Sequence, residues 1–312
     1  MRMNYYNIIH IYNMVLKELD SGGRTLPLFE FKLDSMAENP SIVMIGKRGG
    51  GKSYVTRALI EHFHKIPVGI IIAPTDKMNC FYGNFFPDLF IYYKFSSEIL
   101  ENLLARQEKM IEKEKEKKKE GKKINCKSFI IMDDCMSDNK NWMKEQTVSE
   151  LIYNGRHYKI MYILTLQFSL GITPGMRSNF DYIFLLADDF GTNVQRLHTH
   201  YAGMFQNYQA FKEIFDQVTA NFGCMVIVNR GSRKTFQEKV FWYKAPKKED
   251  INVKMGCEQF RYFHKKNYNK DWRHKNIGFD SSGFFKRAKQ DKNSTIRITR
   301  LEKDNDGYIH RK

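Results

Sequence analysis

Cysteine is scarce in this 312-residue chain, and none of it is paired in sequence. The five cysteines are Cys80, Cys126, Cys135, Cys224 and Cys257; none forms a C-x-x-C motif, and the odd count leaves one over. No disulfide framework or zinc site is visible, and buried, reduced thiols in an intracellular reducing compartment are expected. No apolar run reaches the roughly 18 residues that read as a membrane span. Met1–Asp20 mixes polar and apolar residues and lacks the uninterrupted apolar core of a signal peptide. Acidic residues are also short, 35 against 51 lysines and arginines, for a formal net charge of +16. That excess is more than solubility asks for. It favours a polyanionic partner, nucleic acid first and an anionic membrane surface second. With 42% hydrophobic and 28% charged residues, most of the chain is expected to be globular.

The stretch around which the rest is organised is Gly46-Lys47-Arg48-Gly49-Gly50-Gly51-Lys52-Ser53. It fits the P-loop pattern G-x-x-x-x-G-K-[ST] at every fixed position. The apolar run Ser41–Ile45 leads in as a buried strand, and Tyr54–Lys65 follows as a helix with Val55, Ala58, Leu59, Ile60 and Phe63 inward. Glycines let the backbone come close to phosphate oxygens, and successive N–H groups with the helix N-terminus then face the anion. Gly46 to Tyr54 are therefore the candidate ATP-binding residues. Lys52 would reach the β- and γ-phosphates, and Ser53 would hold Mg²⁺. The competing reading is a glycine-rich turn that binds nothing.

Further apolar runs read as strands: Val68–Pro74, Ser128–Asp134, Ile160–Gln167, Asp181–Ala187, then Cys224–Val228 and Val240–Tyr243 at one side of the sheet. Leu28–Leu33 and Phe90–Tyr93 read as shorter strands. Helical patterns fall at Tyr5–Leu19, from Ser97 toward Lys123, and at Lys144–His157, Thr192–Phe205 and Gln209–Asn221. Thr75–Asp88 reads as an aromatic loop. Strands alternating with helices predict an α/β fold, a largely parallel sheet flanked by helices. Glu108–Lys123 is almost entirely lysine and glutamate, either an exposed charged helix or a disordered insert; its interleaved signs favour a solvated face over a DNA-facing segment. The expected organisation is an N-terminal helix and strand over 1–36, an ATPase core over 37–245 with a charged helical insert near 105–123, and a basic aromatic tail or small appendage over 246–312. That tail holds more than half of the excess charge and shows no clear period.

Asp133 and Asp134 close an apolar strand, the position of a Walker B element. Asp133 would help hold Mg²⁺ and Asp134 would orient or deprotonate the attacking water; both could instead cap a turn. Gln167 ends the next strand, where it can sense the γ-phosphate or position water, or simply bond backbone. Arg156 is a candidate arginine finger reaching a neighbour's site, Arg177 is its rival, and either could be a surface arginine. His198 and His200, two apart on a helix, do not share a face and read as structural or surface residues.

Taken in order, these pieces resemble the poxvirus-type genome-packaging ATPases of nucleocytoplasmic large DNA viruses, a branch of the FtsK–HerA superfamily. The likeness runs from about Phe29 to Ala245. It rests on Phe31–Ser53 with its Asn39-Pro40, Ala73-Pro74-Thr75, Ile130–Asp134, Asn154–His157 with the strand to Gln167, Arg177–Phe184 and Val240–Ala245. The resemblance implies a P-loop core with an additional central strand: the strand ending in Gln167 would separate the P-loop strand from the Walker B strand. It implies ATP hydrolysis coupled to moving double-stranded DNA into a preformed capsid, with subunits in a homo-oligomeric ring, a capsid or portal-side viral partner, and a setting in the virion or a viral factory of the host cytoplasm. One departure stands out: the superfamily usually has glutamate where this chain has Asp134, so water must sit closer or Gln167 must share the task. Phe260, Tyr262, Phe263, Trp272, Phe284 and Phe285 in the tail can stack on unpaired bases or form a docking surface. A helicase or plasmid-type pump with the same core, and a nucleotide-switched DNA-binding scaffold, are the alternative functions; a small-molecule kinase lacks any visible acceptor-site motif.

Overall fold

A computed structural model describes residues 16–21, 24–135, 142–169, 171–247, 253–268, 301–303 and 309–311. A hairpin of β1 (Leu16–Ser21) and β2 (Arg24–Phe29) precedes the sheet. The apolar runs become β3 (Ser41–Ile45), β4 (Val68–Ile72), the short β5 (Ile91–Tyr92), β6 (Ser128–Asp133), β7 (Ile160–Leu166) and β8 (Tyr182–Leu186). With β9 (Gly223–Val228) and β10 (Val240–Lys244) they form one eight-stranded sheet in the order β10-β9-β8-β3-β7-β6-β4-β5. From β5 to β8 every pairing is parallel, and β9 and β10 add antiparallel at one side.

Both faces of this sheet are covered, which is why its strands read as continuous apolar runs. Ile42, Met44, Ile131, Ile163 and Phe184 point into one core; Val43, Ile45, Ile130, Leu164 and Leu185 point into the other. Each such side chain, fully buried, stabilises the fold by roughly 1.5–3 kcal/mol. Helix α1 (Lys52–His62) packs Val55, Ala58 and Leu59 on the first face. The four-residue α2 (Asp76–Asn79) follows β4. Helices α3 (Ser97–Lys119) and α4 (Gln146–Asn154) pack on the second face. After the short α5 (Pro174–Arg177), α6 (Gly191–Tyr201) and α7 (Tyr208–Thr219) cover that same face through Val194, Leu197, Phe211 and Phe215. A four-residue α8 (Phe236–Lys239) enters β10.

The lysine–glutamate run is the second half of α3, one continuous helix that ends at Lys119. Gln107, fully buried, donates from Nε2 to the carbonyls of Cys126 at 2.9 Å and Tyr158 at 2.8 Å, pinning the helix before it leaves the core. Beyond it Glu114 pairs with Lys159, and Lys117 pairs with Glu120 at 2.8 Å. This is the solvated charged face the alternating signs imply.

Three expectations change. The helical period of Tyr5–Leu19 ends inside β1, which takes Leu16–Leu19 into a strand paired with Leu26–Phe29; Tyr5–Val15 lies outside the described residues. The strand expected over Leu28–Leu33 stops at Phe29, and Leu33–Ser35 is a 3₁₀ turn. The tail is not without structure. Helix α9 (Glu258–Asn267) docks on the first face, and β11 (Leu301–Lys303) pairs with β12 (Ile309–Arg311). Phe260 stacks on Phe90 with ring centroids 3.9 Å apart, Met255 is fully buried, and the Cys257 N–H donates to the Pro67 carbonyl at 2.6 Å. Phe260 is thus core packing rather than a platform for bases. Tyr262 and Phe263 are exposed, and Trp272, Phe284 and Phe285 lie outside the described residues.

Candidate active site

Sheet order decides what meets at the C-terminal ends of the strands. β7 lies between β3 and β6, pairing Leu166 with Ile45 and Thr165 with Asp133. The strand ending in Gln167 therefore separates the P-loop strand from the Walker B strand, as the resemblance implies. The P-loop, Asp133, Asp134 and Gln167 share one edge of the sheet, where ligands of parallel α/β sheets bind.

The P-loop is shaped by close approach and by positive φ. A Cβ on Gly46 would stand 2.7 Å from Leu186 Cβ, so β8 leaves no room for a side chain there. Gly51 caps α1 at φ +98°, a conformation that L side chains rarely adopt. Gly49 is also left-handed, at φ +77°, and the Gly50 N–H donates to the Lys47 carbonyl at 3.2 Å. Lys47 pairs with Asp189, while Arg48, Ser53 and Tyr54 are exposed. Lys52 bends back over the loop and donates to the carbonyls of Gly46 and, at 3.1 Å, Lys47. Burial lowers the affinity of Lys52 for its proton, and the nearby Asp134 and Asp133 charges oppose that.

Across the edge, Asp133 accepts from the hydroxyls of Thr165 and Tyr82. Burial pushes its carboxyl upward, the two hydrogen bonds pull it down, the Asp134 charge raises it and Lys52 lowers it. Asp134 sits at φ +53°, a strained conformation of the kind active sites retain. Its N–H donates to Thr165 Oγ1 at 3.2 Å, and Gln167 Nε2 donates to its Oδ2. Gln167 thus meets the shortened Walker B carboxylate directly, which fits a shared role in holding water. A hydroxyl from Ser53 and a carboxylate from Asp133 are the hard oxygen donors that Mg²⁺ takes alongside phosphate oxygens and water. These residues fit the ion, and when bound it would neutralise charge on the β- and γ-phosphates.

Several residues at this edge carry no motif. Thr165 is fully buried and touches both aspartates, yet in sequence it is one polar residue in an apolar run. Tyr82, 1% exposed, reaches Asp133 from the loop after α2. Asp76 orders that loop: its Oδ1 accepts from the N–H groups of Phe81 at 2.7 Å and Tyr82 at 3.1 Å. In sequence Asp76 is only one polar residue in the Thr75–Asp88 loop, just past Ala73-Pro74-Thr75. Asp189 gave none.

Both arginine candidates lie at the other end of the sheet. Arg156 is exposed in the turn before β7, and Arg177 closes α5 before β8 with its guanidinium 5.7 Å from the Tyr201 ring. The seven residues of β7 place about 20 Å between Arg156 and its own P-loop. His198 packs on Phe211, and burial depresses the proton affinity of His200; neither joins the site. Of the cysteines, Cys126, Cys135 and Cys224 are buried, and none of the five is in a disulfide. Among the described residues no helix is long and apolar enough to cross a membrane.

The family described as Poxvirus A32 protein matches residues 28–194. A protein of Acanthamoeba polyphaga mimivirus, L437, is 49% identical over 245 residues, 78% of this chain and 85% of its own. Protein 075L of Invertebrate iridescent virus 6 is 34% identical over 235 residues, 74% of this chain and 87% of its own. Among solved structures, B204, the DNA-packaging ATPase from Sulfolobus turreted icosahedral virus, aligns with a TM-score of 0.48 at 14% identity over 68% of this chain and 100% of that one. The chain belongs to the poxvirus A32 family and is a P-loop ATPase.

Proposed function

We propose that this ATPase is a translocase that moves double-stranded viral DNA into a preformed capsid, working as a homo-oligomeric ring. The observation that carries the reading is the separation of parts. Lys52, Ser53, Asp133, Asp134 and Gln167 share one edge, while the candidate fingers Arg156 and Arg177 share the other. A subunit built this way is incomplete alone and is completed by a neighbour that presents its opposite edge, a head-to-tail contact that closes into a ring. Arg156 is the better finger, because it is exposed while Arg177 packs on Tyr201.

In this reading Lys52 holds the β- and γ-phosphates, Ser53 and Asp133 hold Mg²⁺, and Asp134 with Gln167 positions the attacking water. Completion by a neighbour couples hydrolysis to the neighbour's position, which is what a stepping motor needs. The +16 charge supports backbone tracking of duplex DNA without base reading, the mode a pump uses. Family membership and viral relatives support a capsid or portal-side partner and a place in the virion or viral factory.

The test is ATP turnover with and without long double-stranded DNA, for the wild type and Lys52→Ala. DNA-stimulated turnover that Lys52→Ala abolishes supports the reading. Turnover indifferent to DNA, in an assembled ring, contradicts it.

A further inference from the structure

The antiparallel turn of β9 has a consequence for the nucleotide. Cys224, near the start of β9, pairs with Leu186 at the end of β8, whose Leu185 pairs with Ile45. The turn from α7 into β9 therefore arrives at the P-loop edge. It does so in an unusual conformation: Asn221 and Phe222 are both left-handed, at φ +53° and +63°. Asparagine tolerates that region, but a bulky phenylalanine there is a genuine outlier. The next residue has to be Gly223, because a Cβ there would meet the Val218 carbonyl oxygen at 2.2 Å. The result is a phenylalanine with 67% of its surface exposed. Its ring atom Cδ1 would lie 3.7 Å from a Cβ on Gly51, so the ring stands beside the P-loop, in the direction a Gly51 side chain would take.

An exposed, strained aromatic ring against a phosphate loop asks for a flat apolar ligand. The layout of the edge says which part of the nucleotide that is. Asp133, Asp134 and Gln167, assigned above to Mg²⁺ and the attacking water, stand at the ends of β6 and β7, on one side of the P-loop strand. The nucleoside must leave toward the opposite side, over β8 and β9, where Phe222 stands.

We propose that Phe222 is the base-stacking residue of the ATP site, with the adenine ring of the nucleotide lying on its exposed face. The inference rests on the P-loop holding the phosphates. Base stacking on an aromatic side chain is sequence-tolerant and strong enough to matter for affinity. The strain at Phe222 is then of the kind retained for ligand contact rather than for packing.

The experiment compares binding of ATP and of inorganic tripolyphosphate, both with Mg²⁺, to the full chain by calorimetry. Phe222→Ala should weaken ATP by about five- to a hundredfold and leave tripolyphosphate unchanged. Phe222→Tyr should bind ATP as the wild type does. Phe222→Gly should lose ATP affinity like Phe222→Ala while melting at a higher temperature, since glycine relieves the positive φ. A merely structural phenylalanine would not gain stability and lose affinity in one substitution. Phe190→Ala, equally exposed at the same edge, is the control and should bind ATP normally. Lys52→Ala should weaken both ligands. Wild-type ATP affinity in Phe222→Ala, or a loss confined to Phe190→Ala, overturns the base contact while leaving the phosphate site standing. A wild type that binds neither ligand overturns both.

Discussion

Mixing two inactive variants tests whether Arg156 acts across a subunit boundary. Arg156 and the P-loop of the same chain are separated by the length of β7, about 20 Å, so one side chain cannot serve its own site. An arginine finger contributes about 10³ to 10⁵ in rate, or about 4–7 kcal/mol of barrier. Arg156→Ala and Lys52→Ala should therefore each be nearly inactive, for different reasons: the first binds ATP normally and the second does not. In an equal mixture that exchanges subunits, a junction works when an intact P-loop from Arg156→Ala meets an intact arginine from Lys52→Ala. Random assembly of a head-to-tail ring makes about a quarter of the junctions of that kind. Steady-state ATP hydrolysis in the presence of DNA should then recover to about a quarter of wild type if junctions act independently. Turnover in the mixture equal to the mean of the two parents, with exchange demonstrated by labelled subunits, refutes the trans assignment. The same mixture with Arg177→Ala in place of Arg156→Ala separates the two candidates.

Other expectations follow from single contacts. Thr165→Val removes a hydroxyl that donates to Asp133 and accepts from Asp134 N–H; hydrogen bonds to charged groups are worth about 1.5–3 kcal/mol, so kcat should fall about ten- to a hundredfold with little change in ATP affinity. Gly69→Ala places a Cβ 2.3 Å from Phe129 Cδ1 in the neighbouring strand and should cost about 1–3 kcal/mol in thermal or denaturant melts, part of it regained in combination with Phe129→Leu. Removing Lys247–Lys312 should destabilise the fold, because it strips α9 and the buried Met255 from the core. Removing only Asn269–Lys312 keeps that packing and deletes twelve lysines and arginines against six acidic residues; DNA affinity should drop and its salt dependence flatten, with an unchanged slope counting against a DNA role for the tail.

Much of this site was legible before any coordinates because its parts are local. The P-loop is a contiguous pattern, and strands covered on both faces show as apolar runs whose terminal polar residues, Asp133 and Gln167, lie at the same edge as the P-loop. What sequence did not show is set by distant pairing. Leu16–Leu19 has helical spacing but pairs with β2 in a hairpin, and tertiary partners outweigh period. Helix α9 is short and mostly polar or charged, so its apolar contacts with Phe86 and Phe90, some 170 residues earlier, leave little trace in its own pattern. Tyr82 reaches Asp133 from a loop that Asp76 orders, and only the fold brings the two together. Phe222 has no motif at all: a left-handed phenylalanine is visible only as a backbone angle.

In the proposed function, ATP hydrolysis moves this protein along duplex DNA. Displacement of a third strand from a triplex-bearing linear duplex reads that movement directly. The wild type should displace the third strand in an ATP-dependent way, Lys52→Ala should not, and the two duplex strands should stay paired. DNA-stimulated hydrolysis without displacement would contradict the proposed function, and strand separation would make the chain a helicase.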